Sequence, residues 1–190
     1  MRFVLIFMLL IAAVVTPAFA HVGSGQTDSF AAGITHPLNG IDHIVVMCAV
    51  GLWAAFVGGR SIWVWPMSFV AVMLAGFVAA TFRFEISFVE PAIWSSIVAL
   101  GLVIALAVRP PVWLGAAIVG CFAFFHGHAH GIEAAASRLI PYAIGFAVAT
   151  ACLHAVGIGI ALSARGAIGR TALRGAGLFA AVVGISLMVS

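Results

Sequence analysis

A chain of 190 residues that is 65% hydrophobic and 7% charged, lacks lysine and has a mean hydropathy of +1.28 falls outside the soluble globular class, in which about a quarter of residues are charged. Its formal net charge of +3 comes from dispersed arginines, not from the continuous basic stripe that nucleic acid would require. What these numbers leave is an all-α polytopic membrane protein whose solvent is the lipid bilayer. With the first twenty residues set apart, the length accommodates about six helices of the roughly twenty residues that cross a bilayer, and little aqueous domain.

Residues 1–20 read as a cleavable signal peptide. Arg2 precedes an unbroken apolar run from Phe3 to Val15, and Ala18-Phe19-Ala20 supplies the small-x-small pattern before a peptidase cut. A retained first helix is the competing reading, but the run is short for a span. Cleavage makes His21 the first mature residue and leaves the amino terminus outside the cytoplasmic membrane. His21 then either holds a metal loosely with its free amine or is an incidental surface residue. From His21 to Asn39 the chain is mixed and contains Gly and Ser, so a surface segment is expected, with Pro37 and Gly40 placing His36 on a non-helical lead-in.

Six spans are predicted after it, at about 41–57, 62–81, 92–108, 112–132, 142–163 and 173–189. Gly58-Gly59-Arg60-Ser61 ends the first, Arg109-Pro110-Pro111 ends the third sharply, and a loop holding Arg165, Arg170 and Arg174 precedes the last. Cys48, Cys121 and Cys152 lie in apolar segments without CxxC spacing and are read as small core residues. With the amino terminus outside, the loops holding Arg60, Arg109 and Arg165/Arg170/Arg174 are cytoplasmic, whereas the outer loops hold Arg83 and Arg138. This agrees with the positive-inside rule. Asp28, Asp42, Glu85, Glu90 and Glu133 then all lie on the outer side.

Two polar clusters interrupt the apolar pattern, and polar groups at membrane depth are costly enough to be functional by default. The first is His36, Asp42 and His43, where the first span enters. The second lies near the end of the fourth span, in Phe125-His126-Gly127-His128-Ala129-His130-Gly131-Ile132-Glu133. On a regular helix His126, His130 and Glu133 share one face. His128 points nearly the opposite way, unless Gly127 and Gly131 allow a local irregularity. Since the first span enters from outside and the fourth arrives there, both clusters occupy the same outer third of the membrane.

Imidazole with carboxylate suits nickel, zinc, copper or iron better than calcium, and two carboxylates balance a dication. Asp42 either caps its helix or orients a ligating imidazole. His154, alone in the fifth span, is either an inner relay for the ion or a histidine hydrogen-bonded to a neighbouring helix. Met47 is a soft ligand or a packing residue. HExxH and GxSxG are missing, so ordinary catalytic motifs give no support. One enzyme reading survives, a zinc hydrolase with an open coordination position. A non-transporting metal sensor or chaperone is a third reading.

The stretches HPLNGIDH at 36–43 and FHGHAHGIE at 125–133, with the signal peptide and the histidine that begins the mature chain, resemble the HupE/UreJ family. These are small membrane proteins associated with hydrogenase and urease maturation and regarded as nickel, sometimes cobalt, permeases. The resemblance covers the whole six-span layout. It implies that His36, Asp42, His43, His126, His130 and Glu133 handle the metal, and that His128 stands at a position that varies. The first motif is also similar to the His-x-Asp-His element of larger nickel/cobalt transporters, with somewhat different spacing. What the resemblance implies is a secondary permease of a bacterial inner membrane, whose partners are a divalent transition-metal ion and the bilayer, with no prosthetic group.

Overall fold

The computed structural model describes residues 29–82, 86–134, 139–164 and 166–189. The predicted signal peptide, His21, Asp28, Arg83, Glu85, Arg138 and Arg165 lie outside the described residues. Seven helices make up the described secondary structure: α1 (Phe30–Asn39), α2 (Ile41–Val57), α3 (Ser61–Thr81), α4 (Val89–Ala105), α5 (Val112–Glu133), α6 (Leu139–Ser163) and α7 (Gly166–Val189).

The first helix corrects the expected non-helical lead-in. Ser29, in extended conformation, caps α1 by accepting a hydrogen bond from the Ala32 amide at 3.0 Å. The helix then continues through Pro37 to Asn39. Its support is tertiary. Gly33 lies directly on the Tyr142 carbonyl, and Gly145 on that of Phe30, so α1 and α6 meet backbone to backbone. Gly40, at φ −100°, then breaks the path, and α2 leaves at 88° to α1.

Helix α2 is the centre of the molecule. Every residue from Val45 to Ala54 is buried, and a helix buried around its whole circumference is a core helix rather than a lipid-facing one. Three further close helix pairs are built with glycine. Gly51 and Gly157 bring α2 against α6, Gly76, Gly127 and Gly131 bring α3 against α5, and Gly101 and Gly177 bring α4 against α7. Between helices in lipid there is little hydrophobic driving force, so close backbone approach and dispersion have to hold the pairs. On the outside, Trp63, Met67, Val78, Leu102, Trp113, Val148, Val156, Leu178 and Val182 are exposed. So many large apolar side chains turned outward mark a surface made for lipid.

Helices α3, α5, α6 and α7 are each long and apolar enough to cross a membrane, and the bent pair α1–α2 brings the number to five. The shorter α4 has 17 residues, about 25 Å at the α-helical rise. The protein is therefore a multi-pass helical membrane protein. The direction of packing is also informative. Along α3 and α5 the contacts advance in step, Trp65 on Gly115 and Phe77 on Gly131, so the two run parallel. Along α4 and α7 they run in opposition, with Gly101 on Gly177 and Ile97 on Gly184.

Three sequence expectations shift. Helix α4 begins three residues before the predicted span, because Pro91 in its first turn has no amide hydrogen bond to lose there. It also ends early, ahead of Ala107 at φ 55°. Helix α7 starts at Gly166, so Arg170 and Arg174 are helical rather than in a loop; Arg174 Nε donates to the Ala105 carbonyl at 2.7 Å and closes the carboxyl end of α4. Cys48 is buried as expected, whereas Cys121 and Cys152 are exposed, since both fall on outward faces of their helices.

At the end of α2 away from Asp42, Trp53 and Trp65 pack with ring centroids 4.4 Å apart. Their indole N–H groups donate to the Val108 and Val112 carbonyls at 2.9 and 2.8 Å. This buried pair closes that end of the helix cluster.

Glycine packing gives a first testable consequence. A Cβ at Gly127 would overlap the Met73 carbonyl, whereas Gly159 faces open space. Gly127→Leu is expected to destabilise the protein by at least the ~1–3 kcal/mol of ordinary overpacking, and Gly159→Leu to leave it unchanged. Thermal unfolding in detergent micelles reads the difference; equal midpoints for the two variants would contradict the packing described.

Candidate metal site

The polar residues gather where four helix ends meet. His36 comes from the last turn of α1 and Asp42 and His43 from the first turn of α2. His126, His130 and Glu133 come from the last two turns of α5, on one face as their spacing predicts. The first turns of α6 supply Tyr142 and Phe146 as the aromatic wall: the Phe146 ring lies 4.7 Å from His130, and that of Tyr142 lies 6.0 Å from His36. Helices α2 and α5 do not lie backbone against backbone. Both pack on α3 and α4, and their imidazoles reach across between them.

The hydrogen bonds assign the ring protons. His43 Nδ1 lies 2.8 Å from Asp42 Oδ1, and His130 Nδ1 lies 3.3 Å from Glu133 Oε2. An ionised carboxylate only accepts, so each Nδ1 carries the proton and each Nε2 is left with its lone pair. These two Nε2 atoms face each other at 2.5 Å. Two lone pairs aimed at one point repel unless a shared proton lies between them; a metal ion bound by both rings, with bonds of about 2.0–2.1 Å, would sit to one side of the line joining the two nitrogens. A carboxylate behind each imidazole is also the arrangement that orients metal-ligating histidines.

His36 adds a third imidazole. Its ring centroid lies 4.4 Å from that of His130, and its Nε2 is 3.7 Å from Glu133 Oε2. Ligand atoms of His36, His130 and Glu133 lie within 4.8 Å of one another, close enough to hold one metal ion. His126 stands behind His43, with centroids 5.6 Å apart. Exposure falls along the series: the Glu133 side chain is 45% exposed, that of Asp42 23%, and His36, His43, His130 and His126 are buried. The site is a polar funnel that opens at Glu133 and becomes dry at His126.

The remaining candidates are placed differently. His128 is buried on another face of α5, its ring stacked against Phe124. His154 lies deep in α6, donating from Nδ1 to the Met47 carbonyl at 2.7 Å. That is the interhelical hydrogen bond anticipated as one of its two readings. The Met47 side chain is fully buried in the core, and Glu90 is exposed at the start of α4. Sequence reasoning missed Tyr142, Phe146 and Phe69. Phe69 touches both His126 and His154, at centroid distances of 5.8 and 5.0 Å. A phenylalanine in an apolar span carries no signal that separates such a place from ordinary packing.

Fold and site together define a polytopic helical membrane protein with a cluster of buried imidazoles and partly exposed carboxylates at one end of its helices. The HupE / UreJ protein family matches residues 8–187. The chain is 41% identical over 181 residues to Protein HupE of Rhizobium leguminosarum bv. viciae, an alignment covering 94% of this chain and 95% of that protein. It therefore belongs to the HupE/UreJ family. No solved structure matches it.

Proposed function

We propose that the protein is a secondary permease that takes Ni2+, or Co2+, from the periplasm across the inner membrane to supply maturation of a hydrogenase or urease. The observation that carries this reading is the facing pair of His43 and His130, each held by a carboxylate and each presenting Nε2 to the same point. His36 and Glu133 at the mouth replace the water shell of an arriving ion, and the imidazole-carboxylate donor set suits the later first-row metals. Asp42 and Glu133 together balance the two charges of the ion. His43 and His130 hold the ion within the funnel.

The reading includes six crossings after a signal peptide cut before His21, with the mature amino terminus in the periplasm. Parallel α3 and α5 and antiparallel α4 and α7 are what alternation of six crossings requires. In that orientation the funnel opens outward, and the membrane potential draws a dication inward by about 4.6 kcal/mol per 100 mV, twice the single-charge value. Potential alone can therefore drive accumulation.

Proteoliposomes with an interior-negative potential provide the test. The expected result is accumulation of radiolabelled nickel that depends on the potential and weakens once the external pH is acid enough for imidazoles to gain the proton that blocks ligation. Tightly retained zinc with no flux would contradict the permease and favour an intramembrane hydrolase. Bound nickel with no flux would favour a sensor or chaperone.

A further inference from the structure

We propose that His154 is a second, inner metal-ligating position, reached from His126 past the ring of Phe69, so that the ion descends in two steps rather than leaving the outer cluster directly. The inference rests on the permease reading and adds to it the route below the funnel.

The protons of the two inner histidines are fixed by backbone carbonyls. His126 Nδ1 donates to Phe122 O at 2.9 Å and His154 Nδ1 to Met47 O at 2.7 Å. A carbonyl oxygen only accepts, so in both rings Nε2 is the lone-pair nitrogen. Both Nε2 atoms are buried and neither has a hydrogen-bond partner among the described residues. A buried acceptor left without a partner is destabilising, because it has lost its bond to water and gained none in return. An apolar side chain of similar size would avoid that cost if packing were the only role. Two such nitrogens on either side of one ring suit a cargo that visits rather than stays.

Depth follows from the packing. Gly127 lies on the Met73 carbonyl, which puts His126 at the level of Met73. Thr150 Oγ1 meets Met73 Sδ at 3.6 Å, and His154 is four residues further along α6. Four residues of α-helix advance roughly 6 Å, so His154 lies about one turn deeper than His126. Phe69, fully buried and one turn below Met73 on α3, fills the space between the two imidazoles. An apolar ring there stops a hydrated ion and water, while a ligand on each side lets a dehydrated cation pass across the ring face, where the quadrupole is attractive.

His154 could instead act only as a bolt between α6 and α2, and one substitution separates the two roles. Asparagine places an amide N–H where Nδ1–H stands, so His154→Asn keeps the bond to Met47 O and removes the Nε2 ligand. The measurements are equilibrium dialysis of nickel against purified protein and uptake of radiolabelled nickel into proteoliposomes. His154→Asn is expected to keep the nickel affinity of the outer cluster, which His36, His43, His130 and Glu133 set, and to lose at least about tenfold in uptake, in the range seen when metal-supporting groups are removed. Wild-type uptake by this variant would overturn the inner site. If the variant loses binding as well, Phe69→Ala decides: faster nickel flux with a new proton leak, reported by a dye inside the vesicles, supports the barrier. Unchanged flux in proton-tight vesicles overturns it. Failure of the wild type itself to move nickel would remove the permease reading, and this inference with it, whereas wild-type flux unaltered in His154→Asn removes the inner step alone.

Discussion

His130→Ala is expected to reduce nickel binding and uptake by more than about 100-fold, beyond the 10–100-fold typical of groups that merely support a metal ligand, while the protein still inserts. His130 is the residue common to both parts of the site. Its Nε2 faces that of His43, its ring lies 4.4 Å from His36, and its Nδ1 holds Glu133. Removing it separates the mouth from the interior, leaving His36 and Glu133 without a third ligand and His43 without its opposite. Because the alanine opens a space near Phe146, insertion and thermal stability should be measured alongside. Wild-type nickel accumulation by a properly inserted variant would contradict the assignment.

Asp42→Ala is expected to have the next largest effect, a loss of about 10–100-fold in nickel affinity. In the proposed metal site Asp42 is a positioning residue: its carboxylate accepts from His43 Nδ1 at 2.8 Å, which leaves Nε2 as the nitrogen that would ligate. Asp42→Asn separates geometry from charge, since the amide oxygen still accepts from Nδ1 but balances none of the ion's charge. It should fall between wild type and alanine. A competing role is to complement the helix dipole from the first turn of α2, whose N-cap is Gly40 with no side-chain capping bond; it predicts a different pattern, with lowered stability and unchanged affinity. Nickel affinity by equilibrium dialysis and unfolding temperature, measured on both variants, distinguish the two.

Much of this site was legible in the sequence because its constraints are local. The spacing of His126, His130 and Glu133 places them on one face of any helix, and the order of the spans places that face at the same end as Asp42 and His43. What escaped was set by tertiary packing. A ten-residue stretch containing a glycine and Pro37 reads as loop, since so short a helix is marginal alone; α1 exists because Gly33 and Gly145 let it lie on α6, and that contact carries His36 into the site. The helical placement of Arg170 and Arg174 depends likewise on the carboxyl end of α4, which Arg174 closes. Phe69 gave no signal because its part is defined by its neighbours, His126 and His154, which come from two other helices.

The closeness of α2 and α5 was read from the positions of their polar residues, and the structure refines how it is achieved. The two helices are held apart by α3 and α4, and only side chains as long as imidazole span the gap. Shortening any of these rings therefore acts on binding more than on helix packing. Gly127 and Gly131, each directly after a site histidine on the same helix, act on packing more than on binding.

X-ray absorption at the nickel edge, on purified protein equilibrated with nickel, tests the proposed metal site most directly. The account predicts a spectrum dominated by histidine imidazoles with carboxylate oxygen, and one fewer imidazole in His130→Ala. A shell of oxygen atoms alone, the same in wild type and variant, would contradict it.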